Sequence, residues 1–222
     1  MRRVAVALPI LTLGLVLCAC SASAHQPRIV ESGKTPIVVE APEVSKAYYG
    51  ELDGAPRLFA VRSDHPFILY VNVLVPRIPG IQKNISAEIR DGKGNLVAEL
   101  DGPNFRWTEF HEPFGGDDYY RGPEFSKDVE AGEYTITVFN SGNRGKYVLA
   151  VGEKEEFPFS EMVRTVAVLP RLKSEFFERS PLTILFSYTG AFLAVPLLAI
   201  TAVAYLFVRW RRSSASSRHG RR

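Results

Sequence analysis

EAGEYTITVFNSGNRGKYVLAV, residues 130–151, is the stretch on which the fold class turns. Tyr134, Ile136 and Val138 alternate with Thr135, Thr137 and Phe139, and after residues 140–145 the alternation resumes at Tyr147, Leu149 and Val151. A spacing of two sends successive side chains to opposite faces of a strand, whereas a helix needs apolar residues three and four apart. Asn140, Gly142, Asn143 and Gly145 between the two runs are the residue types that tolerate a tight connection. The pattern predicts two half-buried strands, paired as a hairpin at the C-terminal edge of the domain.

The same alternation extends toward the N-terminus. KAYYGELDGAPRLFAV (46–61) places Asp53-Gly54 between two runs, a hairpin signal, and NISAEIRDGKGNLVAELD (84–101) repeats it around residues 91–95. PFILYVNVLVP (66–76) is apolar at nearly every position, as a central strand covered on both faces must be. Short strands at regular spacing predict an all-β domain over residues 37–153, a jelly-roll or Ig-like β-sandwich. VEAGEYTITVFNSGNRGKYVLAVG (129–152) contains the strand forms A-G-x-Y-x-I-x-V and G-x-Y-x-L-x-V. It resembles the closing strands of bacterial pre-peptidase C-terminal-type β-sandwich domains, and the likeness reaches loosely back to Tyr48. The resemblance implies a small non-catalytic accessory module of secreted proteins. It transfers no functional residue, and any enzyme so assisted would be a separate protein.

Residues 1–24 begin with Arg2 and Arg3, run apolar from Val4 to Leu17 and end in small residues, the order of a secretory signal peptide with Ala22-Ser23-Ala24 as its cleavage site. LCAC (17–20) also fits a bacterial lipobox, which would leave Cys20 acylated, so two forms of the mature N-terminus are open. Residues 25–36 are expected to be a flexible segment. Near the other end, residues 182–208 hold 27 positions without a charged side chain, enough to cross a bilayer with some tilt. The tail, 209–222, has six arginines and no acid. The positive-inside rule places that tail in the cytoplasm, in agreement with the leader. The expected location is the cell membrane, single-pass, with the N-terminal domain periplasmic or extracellular.

This partition changes the meaning of the charge. The chain has 27 basic and 24 acidic residues; the leader holds two of the basic ones and the tail six, so 19 remain against all 24 acids, a net charge of −5 outside the membrane. Nucleic-acid binding loses its electrostatic basis. Both cysteines, Cys18 and Cys20, belong to the leader, so the domain must be held by its core rather than by disulfides. Residues 154–181 read as a helical juxtamembrane stalk: SEMVRTVAVL starts at Ser160 as N-cap and stops before Pro170, and RLKSEFFERS sets Leu172, Phe176 and Phe177 along one side. Two adjacent phenylalanines call for contact with the membrane or with the sandwich.

The richest chemistry lies in residues 105–125, which read as a long loop. Candidate ligand- or partner-binding residues are Trp107, Phe110, His111, Glu112, Phe114, Asp117, Asp118, Tyr119 and Tyr120. Rings beside carboxylates suit a glycan or peptide surface, and equally suit a cover over one end of the sandwich. Calcium finds hard oxygen ligands in Glu112, Asp117 and Asp118, but at no recognised loop spacing. His65 and His111, 46 residues apart, have no partner at zinc-ligand spacing. No nucleophile elbow, H-E-x-x-H or P-loop is present. The expectation is a membrane-anchored, non-enzymatic recognition or accessory module with an envelope protein as partner, without cofactor, metal or nucleic acid. The alternative is a glycan- or calcium-binding module built on 105–125, with an envelope hydrolase behind both.

Overall fold

Alternation in these runs becomes eleven strands: β1 (Gln26–Ile29), β2 (Ile37–Val39), β3 (Lys46–Asp53), β4 (Arg57–Ser63), β5 (Phe67–Pro76), β6 (Ser86–Asp91), β7 (Leu96–Leu100), β8 (Thr108–Glu112), β9 (Asp117–Val129), β10 (Gly132–Phe139) and β11 (Arg144–Val151). The computed structural model describes residues 25–31, 33 and 36–219; residues 1–24, the expected signal peptide with Cys18 and Cys20, lie outside the described residues. One sheet has the order β1-β3-β11-β5-β9-β8 and the other β2-β4-β10-β6-β7. Pairing is antiparallel except at two edges, where β1 runs parallel to β3 and β2 parallel to β4. The chain is mostly β and the fold is sandwich-like, as expected.

The core lies between the sheets. Tyr48, Leu69, Val71, Val73, Tyr147 and Leu149 of the first sheet face Phe59, Val61, Ile89, Ile136 and Val138 of the second, all buried. Phe59 meets Tyr48 and Tyr147 edge to face, with centroids 5.3 and 6.4 Å apart. Apolar area removed from water on these two rows is the main stabilising term of a disulfide-free domain.

Two expected hairpins are something else. β10 pairs with β4 and β6, while β11 pairs with β3 and β5, so residues 130–151 form an arch that crosses from one sheet to the other. KAYYGELDGAPRLFAV is a second arch, with β3 and β4 likewise in different sheets. The two arches lie against each other, with the Gly54 N–H donating to the Asn143 carbonyl at 2.7 Å. Asn140 holds the crossing: its amide NH₂ donates to the Arg144 carbonyl at 2.8 Å, and its side-chain oxygen accepts from the Arg144 N–H at 3.1 Å. An arch brings two inward rows face to face and a hairpin sets them side by side, but both require the same alternation. The segment 84–101 is a true hairpin, β6 with β7. Both strands of the opening stretch are central in their sheets, not marginal. Residues 25–36, expected to be flexible, include β1, whose Gln26 N–H donates to the Ser45 carbonyl at 2.9 Å.

The C-terminal part begins with α1 (Phe159–Arg171), followed by a π-helical turn (Leu172–Phe176), a 3₁₀ turn (Pro181–Phe186) and α2 (Tyr188–His219). Pro158 rather than Ser160 is the N-cap, and Pro170 does not end the helix. The chain instead widens into the π turn, where the Ser174 hydroxyl donates to the Pro170 carbonyl at 3.0 Å. The segment is also not a projecting stalk. Leu172, Phe176 and Phe177 are buried against Ala47, Leu74, Tyr119, Val148 and Ala150, a second cluster on the outer face of the first sheet. The chain divides into two compact units at Ile184/Leu185. α2 holds one stretch, Tyr188–Trp210, long and apolar enough to cross a membrane.

Candidate functional site

Residues 105–125 are not a loop for most of their length: β8 and β9 form an antiparallel hairpin with Phe110 opposite Tyr119, His111 opposite Asp118 and Glu112 opposite Asp117. Residues directly opposite share a face. Phe110, Glu112, Asp117 and Tyr119 therefore face one way, and His111, Asp118 and Tyr120 the other. The turn between the strands is built on Glu112. Its carboxylate accepts the N–H groups of Phe114 at 2.6 Å and Gly115 at 2.7 Å, and its carbonyl accepts the Gly116 N–H at 3.0 Å. Gly116 has φ +69°, which glycine adopts at least cost. Burial pushes the Glu112 carboxyl above the ordinary carboxylate range, against the pull of those two N–H groups.

The turn receives a cation from the chain itself. Lys173, wholly buried in the π turn, places its ammonium 2.6 Å from the Asp117 carboxylate, 2.6 Å from the Gly115 carbonyl and 3.3 Å from the Gly116 carbonyl. An ammonium has three protons and here finds three oxygens, the condition for burying it. Burial drives the Asp117 carboxyl upward and the Lys173 ammonium draws it back. On the neighbouring residue, Asp118 takes the Arg179 guanidinium at 2.8 Å on one oxygen and His111 Nδ1 at 2.8 Å on the other. Burial alone would raise the Asp118 carboxyl, but the bonds from His111 and Arg179 hold it below the usual range. From β11, the Lys146 ammonium bonds the carbonyls of Glu175 and Phe176 and the Glu178 carboxylate at 2.7–3.1 Å.

Aromatic rings close the same contact. The Phe177 ring meets Tyr119 edge to face at 5.3 Å, Phe176 meets Tyr49 at 5.2 Å, and the Tyr49 and Tyr119 hydroxyls bond each other at 2.9 Å. Phe110, half-buried, carries the Arg121 guanidinium 4.1 Å above its ring. Phe114 packs on Phe157 at 5.3 Å. Tyr120 joins the inner core, with the Lys83 ammonium 4.5 Å from its ring. Trp107 also packs on the inner core, and its indole N–H donates to the Gly102 carbonyl at 2.8 Å. A Cβ added at Gly122 would come within 2.5 Å of the Trp107 ring. Beside this contact a cavity of about 50 Å³ opens between His25, Tyr70, Glu112 and Arg121. Burial holds the His25 imidazole below its usual pKa.

Eight of the nine candidate residues thus stand on one hairpin, with Trp107 just before it, but they serve different surfaces, and the cationic residues that engage them were not among the candidates. Lys173 and Arg179 carry no sequence signal of burial, because charged residues in the mixed-sign stretch 171–180 ordinarily face solvent. Phe176 and Phe177 did. Among the described residues no group of three or more His, Cys, Asp and Glu side chains converges to hold a metal. Of the three carboxylates that suggested calcium, Asp117 meets the Lys173 ammonium, Asp118 takes Arg179 and His111, and Glu112 accepts the Phe114 and Gly115 N–H groups.

No protein-family model matches the chain, nor does any curated protein. Among solved structures, the pre-peptidase C-terminal domain of collagenase from Bacillus anthracis is similar over 58% of this chain and 95% of that one, at 10% identity and a TM-score of 0.32. A β-glucosidase from Paenibacillus barengoltzii is similar at 11% identity and a TM-score of 0.22; the match again takes in 58% of this chain but only 13% of the enzyme. Both are weak structural resemblances.

Proposed function

We propose that the protein is a single-pass, membrane-anchored, non-catalytic recognition module of the cell envelope, its sandwich outside and its arginine-rich tail in the cytoplasm. One observation carries this reading: the segment that leads toward the apolar helix is locked onto the sandwich by the Lys173–Asp117 pair and by Phe176 and Phe177. A module joined by a solvated linker needs no such lock; a module that presents a surface in a defined attitude does. The apolar helix adds support, since Leu197, Leu198, Ile200 and Tyr205 are each more than 60% exposed, and such surface calls for an apolar surrounding. The hairpin carboxylates that would serve a hydrolase or bind calcium are engaged by internal cations and N–H groups, which favours recognition over chemistry.

The test uses intact cells and the full chain. Protease added from outside is expected to cut the sandwich and spare an epitope in the tail, and photo-crosslinkers on the exposed edges of β7 and β8 are expected to trap one recurrent envelope protein. A tail cut from outside would invert the topology. Turnover of a substrate by the purified chain, with no protein trapped, would replace recognition by catalysis.

A further inference from the structure

α1 is amphipathic toward the sandwich and apolar again on its far side. Thr165 and Leu169 are buried, and Glu161 pairs with Arg28 of β1 at 2.8 Å, so one face of the helix is committed to the domain. At about 100° per residue, Phe159, Val163, Ala167 and Pro170 fall within roughly 80° of one another on the opposite side. All four are exposed, Phe159 by 77% and Val163 by 55%. Arg164 and Arg171 border that stripe, both more than half exposed and held only at their ends by Glu161 and Glu175.

We propose that this outward stripe of α1 rests on the surface of an anionic lipid bilayer, Phe159 and Val163 entering the boundary between headgroups and acyl chains while Arg164 and Arg171 meet lipid phosphates. The inference rests on the membrane-anchor reading above. A helix of 13 residues is about 20 Å long and about 10 Å wide, so its face offers roughly 200 Å², well short of the roughly 800 Å² per partner of a stable protein interface. That argues against a second copy of the chain. Two large apolar side chains would also bind a free bilayer only marginally, as a single weak anchor does. Only residues 178–187 separate the docked Phe177 from the start of α2, however, and a tether this short turns a weak contact into an intramolecular one. Apolar stripe, bordering arginines and short tether together select lipid.

The test is the full chain, with Cys18 and Cys20 replaced by Ser, carrying one cysteine labelled with an environment-sensitive fluorophore. It is reconstituted in phosphatidylcholine vesicles containing phosphatidylglycerol, with and without brominated acyl chains. Val163→Cys reports the stripe, Tyr205→Cys the apolar helix, and Leu96→Cys on β7 an exposed surface that takes part in neither lipid contact. Labels at 163 and 205 are expected to shift to shorter wavelength and to be quenched by brominated lipid, while the label at 96 does neither. Quenching at 205 without quenching at 163 overturns the inference and leaves the anchor standing. Quenching at neither overturns both. A label at 163 that is shielded from water, unquenched by lipid and close to a label on another molecule shows the stripe to be a contact between copies, which also overturns it.

Discussion

Lys173 Nζ lies 2.6 Å from the Asp117 carboxylate, and neither side chain reaches solvent. A buried pair of this kind adds little net stability over apolar residues of the same shape, but loss of one member leaves the other charged and dry. Lys173→Met is therefore expected to cost about 3–5 kcal/mol, and the double variant Lys173→Met with Asp117→Leu to recover most of it. Denaturant unfolding of the two single variants and the double one measures the coupling. If the two single losses simply add, the pair does not lock the C-terminal segment to the hairpin.

Phe177 tests the apolar half of the same contact. Its ring is buried on Tyr49 and Tyr119, and Phe177→Ala removes it from a site with no other filler, at an expected cost of about 3–5 kcal/mol. Phe159→Ala, at an exposed position, should cost less than about 0.5 kcal/mol. Equal effects in thermal unfolding would mean that the segment is not docked in solution.

The class of the fold and most strand positions were legible because burial on one face enforces a period of two, and 134–138 and 147–151 obey it. Partnership was not. Tyr134, Ile136 and Val138 point inward whether the next strand lies beside them in one sheet or opposite them in the other, so the arches over 130–151 and 46–61 passed for hairpins. The site was legible as a concentration of rings and carboxylates between Phe105 and Phe125, and opaque as to what answers it. Lys173 stands 56 residues beyond Asp117 in a stretch whose charges look solvated, and only the closing of the π turn over the hairpin reveals it as the counter-ion. Leu172, Phe176 and Phe177 gave the one usable hint, since paired phenylalanines in a solvated linker would be left without cover.

Trp107 separates a structural role from a ligand platform. It packs on the inner core and covers Gly122, so Trp107→Ala is expected to destabilise the domain toward the lower end of about 3–5 kcal/mol. A ring displayed for a glycan would change stability by less than about 0.5 kcal/mol and binding instead. Gly122→Ala sets a Cβ 2.7 Å from the Val73 carbonyl as well as against the indole, and should cost about 1–3 kcal/mol through overpacking. Thermal unfolding followed by the circular dichroism of the β-sheets reads both.

His25 gives the domain a pH dependence of definite sign. Its imidazole is half-buried at the start of β1, in contact with the Ser45 hydroxyl, and burial lowers its pKa below 6.5, with Glu155 opposing and Arg121 reinforcing. A lowered folded-state pKa means that the unfolded chain takes up the proton more readily. The stabilisation is then complete above the unfolded value of about 6.5 and is lost as pH falls through the folded one. The melting temperature is expected to decline on acidification from pH about 7 toward 5, before most carboxylates titrate. His25→Gln should flatten that part of the profile while leaving the steeper loss at lower pH. Because β1 joins its sheet at one edge through parallel pairing with β3, the loss should begin there: on acidification the exchange protection of the Val30 amide just past β1, whose N–H donates to the Tyr49 carbonyl at 2.8 Å, should fall before that of the β5 and β11 amides. A decline unchanged by His25→Gln would assign the acid sensitivity to another group.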